Sequence, residues 1–187
     1  MLLKILSVLA VAGCALALLS LDRSPAAKSA AAPDVERGKY LVSFGSCNDC
    51  HTPLVMGPNG PAPDMTRMLS GHPQDLVLSS GPALEGPWGA AATHTLTGWS
   101  GPWGLSFAAN LTPDKETGLG AWSAEDFIAT IRTGRRMGRG RPLLPPMPVH
   151  YVNTLTDEDL RNVFAYLQSI PAVSNRVPQP VAPAQAR

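Results

Sequence analysis

Two cysteines three positions apart, followed at once by a histidine, stand in the run Cys47-Asn48-Asp49-Cys50-His51. This C-x-x-C-H spacing reads as a c-type haem attachment site. Two thiols so placed can add to the two vinyl groups of one haem. The adjacent imidazole then lies under the iron and supplies the proximal nitrogen. Gly45 before the motif and Pro53 after it permit the sharp turn this requires. Other uses of the motif fit less well. A zinc site needs a second pair of ligands, yet the chain has only three cysteines, one of them in the apolar N-terminal run, and His72, His94 and His150 are scattered. A thioredoxin-like redox pair expects a preceding strand and a βαβ setting. A structural disulfide is the remaining alternative for an exported chain.

An iron held in this way has a sixth position. The candidates are Met56, Met65, Met68, Met137, Met147, His72, His94 and His150. Most methionines are packing residues, but Met147 lies in Leu144-Pro145-Pro146-Met147-Pro148. Prolines on both sides fix φ and remove backbone donors, so the segment can hold a thioether at a set point. Met147 is therefore the expected distal ligand and His150 the second choice.

The elements that must position these residues are legible as three helices. The first starts at the N-cap Asp34 and stops at Gly45. Gly38 inside it costs about 1 kcal/mol relative to Ala, which suggests close approach of another backbone. The second starts in Ser123-Ala-Glu-Asp126, a capping-box pattern, and ends at Gly134. The third starts in Thr156-Asp-Glu-Asp159 and ends before Pro171, with Leu160, Val163, Phe164, Leu167 and Ile170 on one face. Pro53 to Gly104 holds 17 Gly or Pro in 52 residues, too many for a strand or helix pattern to survive. So long an irregular stretch is expected to wrap something large or to be disordered.

The organisation expected is a membrane anchor or signal segment at 1–23, a linker at 24–33, a folded domain at 34–172 and an extended tail at 173–187. The uncharged run Ile5 to Leu21, with Lys4 before it, is the basis for the first. Val11-Ala12-Gly13-Cys14 also looks like a lipoprotein signal. Each reading exports the rest of the chain, to the periplasmic side of a bacterial inner membrane. Of 187 residues, 44% are apolar and only 16% charged, with a net charge of +1. That supports a real core and excludes a nucleic-acid binder working through bulk positive charge.

With these residues together, the sequence resembles the class I c-type cytochromes. Within them it is similar to cytochromes related to the cytochrome c subunits of bacterial membrane-bound dehydrogenases. The resemblance runs through Arg37-Gly-Lys-Tyr-Leu-Val42, the Cys-x-x-Cys-His motif with Thr52-Pro53, and Asn110-Leu-Thr-Pro-Asp-Lys-Glu-Thr-Gly-Leu-Gly120. It continues through Ile131-Arg-Thr-Gly134, Pro145-Pro-Met-Pro148 and Leu155-Thr-Asp-Glu-Asp-Leu160, covering nearly all of 34–172. It implies an all-α cytochrome c fold, with crossed N- and C-terminal helices around one covalent haem c. It implies Tyr40 and Tyr166 near the crossing, Met147 as distal ligand, and Trp103 and Asn110 near the haem edge and propionates. The family often has an aromatic residue after Pro-Met-Pro, where this chain has Val149.

With both axial positions filled the iron has no open site, so the expected role is an electron carrier and not an enzyme. Its partners would be redox proteins: a donor dehydrogenase or quinol-oxidising complex, and an acceptor oxidase or cytochrome. Membership of a dehydrogenase complex is the alternative, and a haem enzyme or sensor with an open distal site the rival. Arg132, Arg135, Arg136, Arg139 and Arg141 fall within ten residues without an acid, while 34–172 carries ten basic and 13 acidic residues. Positive charge is thus gathered beside the Met147 segment, where it could meet propionates or an acidic partner.

Overall fold

A computed structural model describes residues 32–183. The N-terminal segment and most of the linker lie outside the described residues. No helix among the described residues is long and apolar enough to cross a membrane.

The three helices expected from their caps are α1 (Val35–Phe44), α3 (Ala124–Thr133) and α5 (Asp157–Ser169). Each starts where a short polar side chain accepts from a backbone N–H of the first turn: Asp34 from Arg37, Ser123 from Asp126, and Thr156 from Asp159. Ser123 and Asp126 form a reciprocal capping box. Acids crowd the first turn of α3 and α5, where the helix dipole favours them. Two shorter helices complete the set, α2 (Cys47–His51) and α4 (Val149–Val152).

One core holds the helices together. Leu41 and Val42 of α1, Phe127, Ile128 and Ile131 of α3, and Leu160, Val163, Phe164 and Leu167 of α5 are all buried in it. The Phe127 and Phe164 rings lie 5.6 Å apart and tilted. Gly38 explains how α1 and α5 come so close. A Cβ there would sit 2.0 Å from the Asn162 carbonyl oxygen. Asp34 N–H donates to Asn162 Oδ1 at 2.8 Å, and Arg37 pairs with Asp159 at 3.0 Å. Tyr166 lies half-buried beside Gly38. Tyr40 does not join it: its ring is exposed and stacked on Phe44.

The stretch 53–104 departs from expectation, because it carries strands. β1 (Leu54–Gly57) and β2 (Gly60–Pro63) form an antiparallel hairpin, with Gly57 opposite Gly60. β3 (Ala91–Ala92), β4 (Gly98–Gly101) and β5 (Gly104–Phe107) form an antiparallel meander, with Gly101 opposite Gly104. Both close on two-residue turns. Gly60 at φ +108 and Gly104 at φ +90 supply backbone that other residues rarely adopt. The strands are four residues or fewer in length, and some of the Gly and Pro that erased their pattern lie within them, such as Pro61 and Pro63 of β2. The described residues thus carry two small sheets beside five helices, not helices alone.

Beyond Ile170 the chain is extended and stitched to the domain. Leu105 and Val181 exchange both backbone hydrogen bonds, at 2.8 and 3.1 Å. Gly104 leaves room for this, since a Cβ there would meet the Val181 carbonyl at 2.0 Å.

Gly38→Ala should destabilise the protein by about 3 kcal/mol through overpacking of the α1–α5 contact. Gly89→Ala, into open space, should stay within about 0.5 kcal/mol. Urea denaturation of the two variants checks the difference.

Candidate functional site

The chemistry-bearing motif is itself a helix. Ser46, at φ 54, turns the chain out of α1 and into α2. Both thiols are free and lie on this one short helix. Burial pushes the Cys47 thiol up to about 11. Burial also raises Cys50, with the nearby Asp49 carboxylate adding to the effect. At neutral pH both are held as protonated thiols.

His51 is 8% exposed. Its Nδ1 lies 2.8 Å from the backbone oxygen of Ala109. A carbonyl only accepts, so the proton is on Nδ1 and the lone pair is on Nε2. Among the described residues no group hydrogen-bonds Nε2. Burial lowers the tendency of the ring to protonate, partly offset by the Ala109 bond. A neutral imidazole, oriented through one nitrogen and unspent at the other, is what a metal-ligating histidine presents.

The backbone around His51 is equally determined. Its carbonyl accepts from Gly71 N–H at 2.8 Å. The Thr52 hydroxyl donates to Asn48 Oδ1 and accepts from Leu69 N–H. Gly71 has φ +81, and a Cβ there would lie 2.6 Å from the Ala109 oxygen. Gly71 therefore touches both ends of the histidine's support: the His51 backbone and the carbonyl that fixes its tautomer. Next to it, Ser70 Oγ is the one buried side-chain polar atom among the described residues without a hydrogen-bond partner.

Met147 is half-buried on its proline segment. Trp103 Nε1–H donates to Ser106 Oγ at 3.0 Å, and Ser106 Oγ–H donates to the Pro145 carbonyl at 2.5 Å. Trp103 thus reaches Met147's segment through β5, and its indole N–H is used within the protein. Asn110, expected near propionates, is buried with its side chain fully engaged. Oδ1 accepts from Thr112 N–H and Oγ1–H, and Nδ2 donates to Thr117 Oγ1 and the Val173 carbonyl. Asn110 meets the histidine only through its neighbour Ala109.

The other ligand candidates are placed differently. His72 is fully buried with both ring nitrogens bonded, to Thr97 Oγ1 and the Leu76 carbonyl, and it packs on Phe107. His94 is exposed. So is His150, whose ring lies tilted against Tyr151. Met56 and Met65 are exposed, while Met68 packs against the core. Met137 sits at φ 50 with its sulfur beside Arg136. A cavity of about 400 Å³ lies elsewhere, between Leu54, Met56, Pro73, Leu76 and His94.

Of the five clustered arginines, Arg132 is structural. It pairs with Asp157 and donates to the Asn153 and Leu155 carbonyls. Arg135, Arg136, Arg139 and Arg141 are exposed and make no ion pair among the described residues. They lie on a loop closed by Arg136 N–H to Arg141 O and Leu143 N–H to Gly134 O. Arg136 also covers the Trp122 ring.

Sequence reasoning missed Gly71, Ser106 and Asn175. Only the Gly71 type, in a Ser-Gly-His run, carried any signal.

A site of two free thiols and one oriented imidazole with an unspent Nε2 defines a class, covalent haem attachment, which its residues fit. No protein-family model matches the chain. It is 30% identical over 145 residues to the fructose dehydrogenase cytochrome subunit of Gluconobacter japonicus, covering 78% of this chain and 23% of that one. It is 28% identical over 132 residues to the gluconate 2-dehydrogenase cytochrome c subunit of Pantoea cypripedii, covering 71% and 22%. It is 30% identical over 147 residues to a diheme cytochrome c-type protein of Cereibacter sphaeroides, covering 76% and 37%. The chain is a c-type cytochrome related to the cytochrome subunits of bacterial dehydrogenases. It spans less than a quarter of the length of those two subunits.

Gly71→Ala should cost about 2–3 kcal/mol, from strain at positive φ and overlap with the Ala109 carbonyl. It should also weaken the His51 Nδ1 hydrogen bond. Thermal unfolding reads the first effect and the imidazole nitrogen chemical shifts the second.

Proposed function

We propose that this chain is a monohaem electron carrier with a class I cytochrome c fold. Cys47 and Cys50 would hold the ring through thioethers, and His51 Nε2 and the Met147 sulfur would ligate its iron. Bound there, haem supplies a one-electron iron couple, whose potential a His/Met pair raises. The observation that carries the reading is the His51 ring, with its proton committed to Ala109 and its Nε2 lone pair free. The hydrogen bond keeps the imidazole in one tautomer and raises its donor strength. Trp103 and Ser106 brace the segment that presents Met147. With both positions at the iron taken there would be no open site for substrate, so the chain transfers electrons without being an enzyme.

The apolar N-terminal run supports a location on the periplasmic side of the membrane, anchored or released there. A second reading makes the chain the haem subunit of a dehydrogenase complex. It is favoured by relatives that are named as such subunits. Co-purification of a catalytic subunit with the tagged chain distinguishes the two.

Visible spectra of the haem-loaded protein test the ligand set. The wild type should show the long-wavelength sulfur-to-iron band, and Met147→Ala should lose it. A high-spin wild type, or a band that survives in the variant, removes Met147 as ligand and returns the open distal site.

The unpaired arginines supply a docking surface for an acidic partner. Neutralising Arg135, Arg136 and Arg139 together should slow electron transfer about tenfold at low ionic strength, with the difference closing as salt screens it. Equal rates at both salt levels would remove the docking role.

A further inference from the structure

The tail beyond α5 does more than cover surface. Its residue Asn175 is 7% exposed, and it engages both segments that hold His51. The side-chain Nδ2–H₂ donates to the Ser70 carbonyl at 2.7 Å and to the His72 carbonyl at 2.9 Å. Those two carbonyls flank Gly71, whose N–H binds the His51 carbonyl. The Asn175 Oδ1 accepts from Gln74 N–H at 2.9 Å. One amide thus ties three backbone groups of residues 70–74.

The same residue reaches the other side of the histidine's support. Its backbone N–H donates to Thr117 Oγ1 at 3.0 Å, and its carbonyl lies 3.4 Å from Asn110 Nδ2. Val173 adds two more links, its N–H donating to Thr112 Oγ1 and its carbonyl accepting from Asn110 Nδ2. Asn110 adjoins Ala109, the acceptor for His51 Nδ1. The tail therefore adds to the direct links between these stretches, His72 N–H to Ala108 O and Leu111 N–H to Leu69 O, and to the Gly71–Ala109 contact.

We infer that Asn175 is a positioning residue for the proximal histidine: by binding the carbonyls on either side of Gly71 it holds the Ala109 oxygen where His51 Nδ1–H can reach it. This rests on the haem reading for its consequence, but the clasp is a property of the protein alone. A buried amide with three backbone partners opens seldom. While it is closed, the Nδ1 proton stays bonded and the imidazole cannot rotate or change tautomer. When it opens, only the direct backbone bonds His72 N–H to Ala108 O and Leu111 N–H to Leu69 O hold Gly71 against Ala109, and Nδ1–H exchanges with water more readily.

Asn175→Asp is the sharpest test. It keeps the outline and the acceptor for Gln74, but loses both donors and sets a carboxylate against two carbonyls. Asn175→Ala removes the bonds without adding charge, and Thr117→Val loosens the residue's backbone more gently. Val163→Ala, in the core away from the clasp, controls for lost stability. Arg176→Ala controls for a change in the tail. In the full haem-loaded chain, proton exchange at His51 Nδ1–H and Gly71 N–H is followed by NMR.

The Asn175 variants should speed exchange of these two protons about tenfold or more beyond that of Val163→Ala at matched stability. Arg176→Ala should behave as wild type. Exchange that rises only in step with global stability, as in Val163→Ala, would overturn the inference and leave Asn175 a fold-stabilising residue. If the wild type carries no haem, the proposed function fails; the exchange comparison on the thiol form still decides whether Asn175 holds His51.

Discussion

The hydrogen bond from His51 Nδ1–H to the Ala109 carbonyl joins two parts of the chain that have little reason to meet, residues 58 positions apart. One belongs to a five-residue helix and the other to an extended run after β5. The bond fixes the imidazole only because both partners are themselves held. Gly71 binds the His51 backbone while lying against the Ala109 carbonyl, and Ala108 is bonded on both sides, to Thr97 and His72. Burial strengthens the arrangement by keeping water from competing for the carbonyl. Replacing the glycine hydrogen with a methyl group would strike the acceptor, so the orientation of a ring depends on the size of a residue twenty positions away.

The helical frame serves this constraint from a distance. α1 delivers α2 in a defined place because Gly38 lets α1 lie directly on α5, with Asp34 and Arg37 fastened to Asn162 and Asp159. The turn at Ser46 then sets the start of α2. Met147 is organised separately. Its brace runs through Trp103 and Ser106 on the β5 hairpin, a part of the chain without helical character. Two independent hydrogen-bond systems thus present the two expected axial residues.

Much of this was legible because some signals are local. Capping residues at 34, 123 and 156 mark three helix starts, and the spacing of Cys47, Cys50 and His51 states its chemistry within five residues. The Gly38 close approach was legible too, since a glycine inside a helix asks for a reason. What escaped was non-local. The strands of 54–107 are at most four residues long, so their alternation never accumulates, and their turn glycines read as disorder. Asn110 was legible by its motif, but its partners, the Thr112 backbone N–H and hydroxyl, the Thr117 hydroxyl and a carbonyl of the tail, were not. Nothing near Asn175 in the chain announces that it will bind residues 103 and 105 positions earlier.

That separation also orders events in time. Contacts so distant along the chain close late, because the loop entropy must be met before the bonds can repay it. Cys47 and Cys50 emerge during synthesis more than a hundred residues ahead of Asn175. The attachment helix therefore exists as a chain segment well before the element that tightens its surroundings has been made. On the haem reading, covalent loading would meet reachable thiols and a still adjustable histidine until the tail arrives. A strap drawn from distant sequence makes maturation come first and rigidity second.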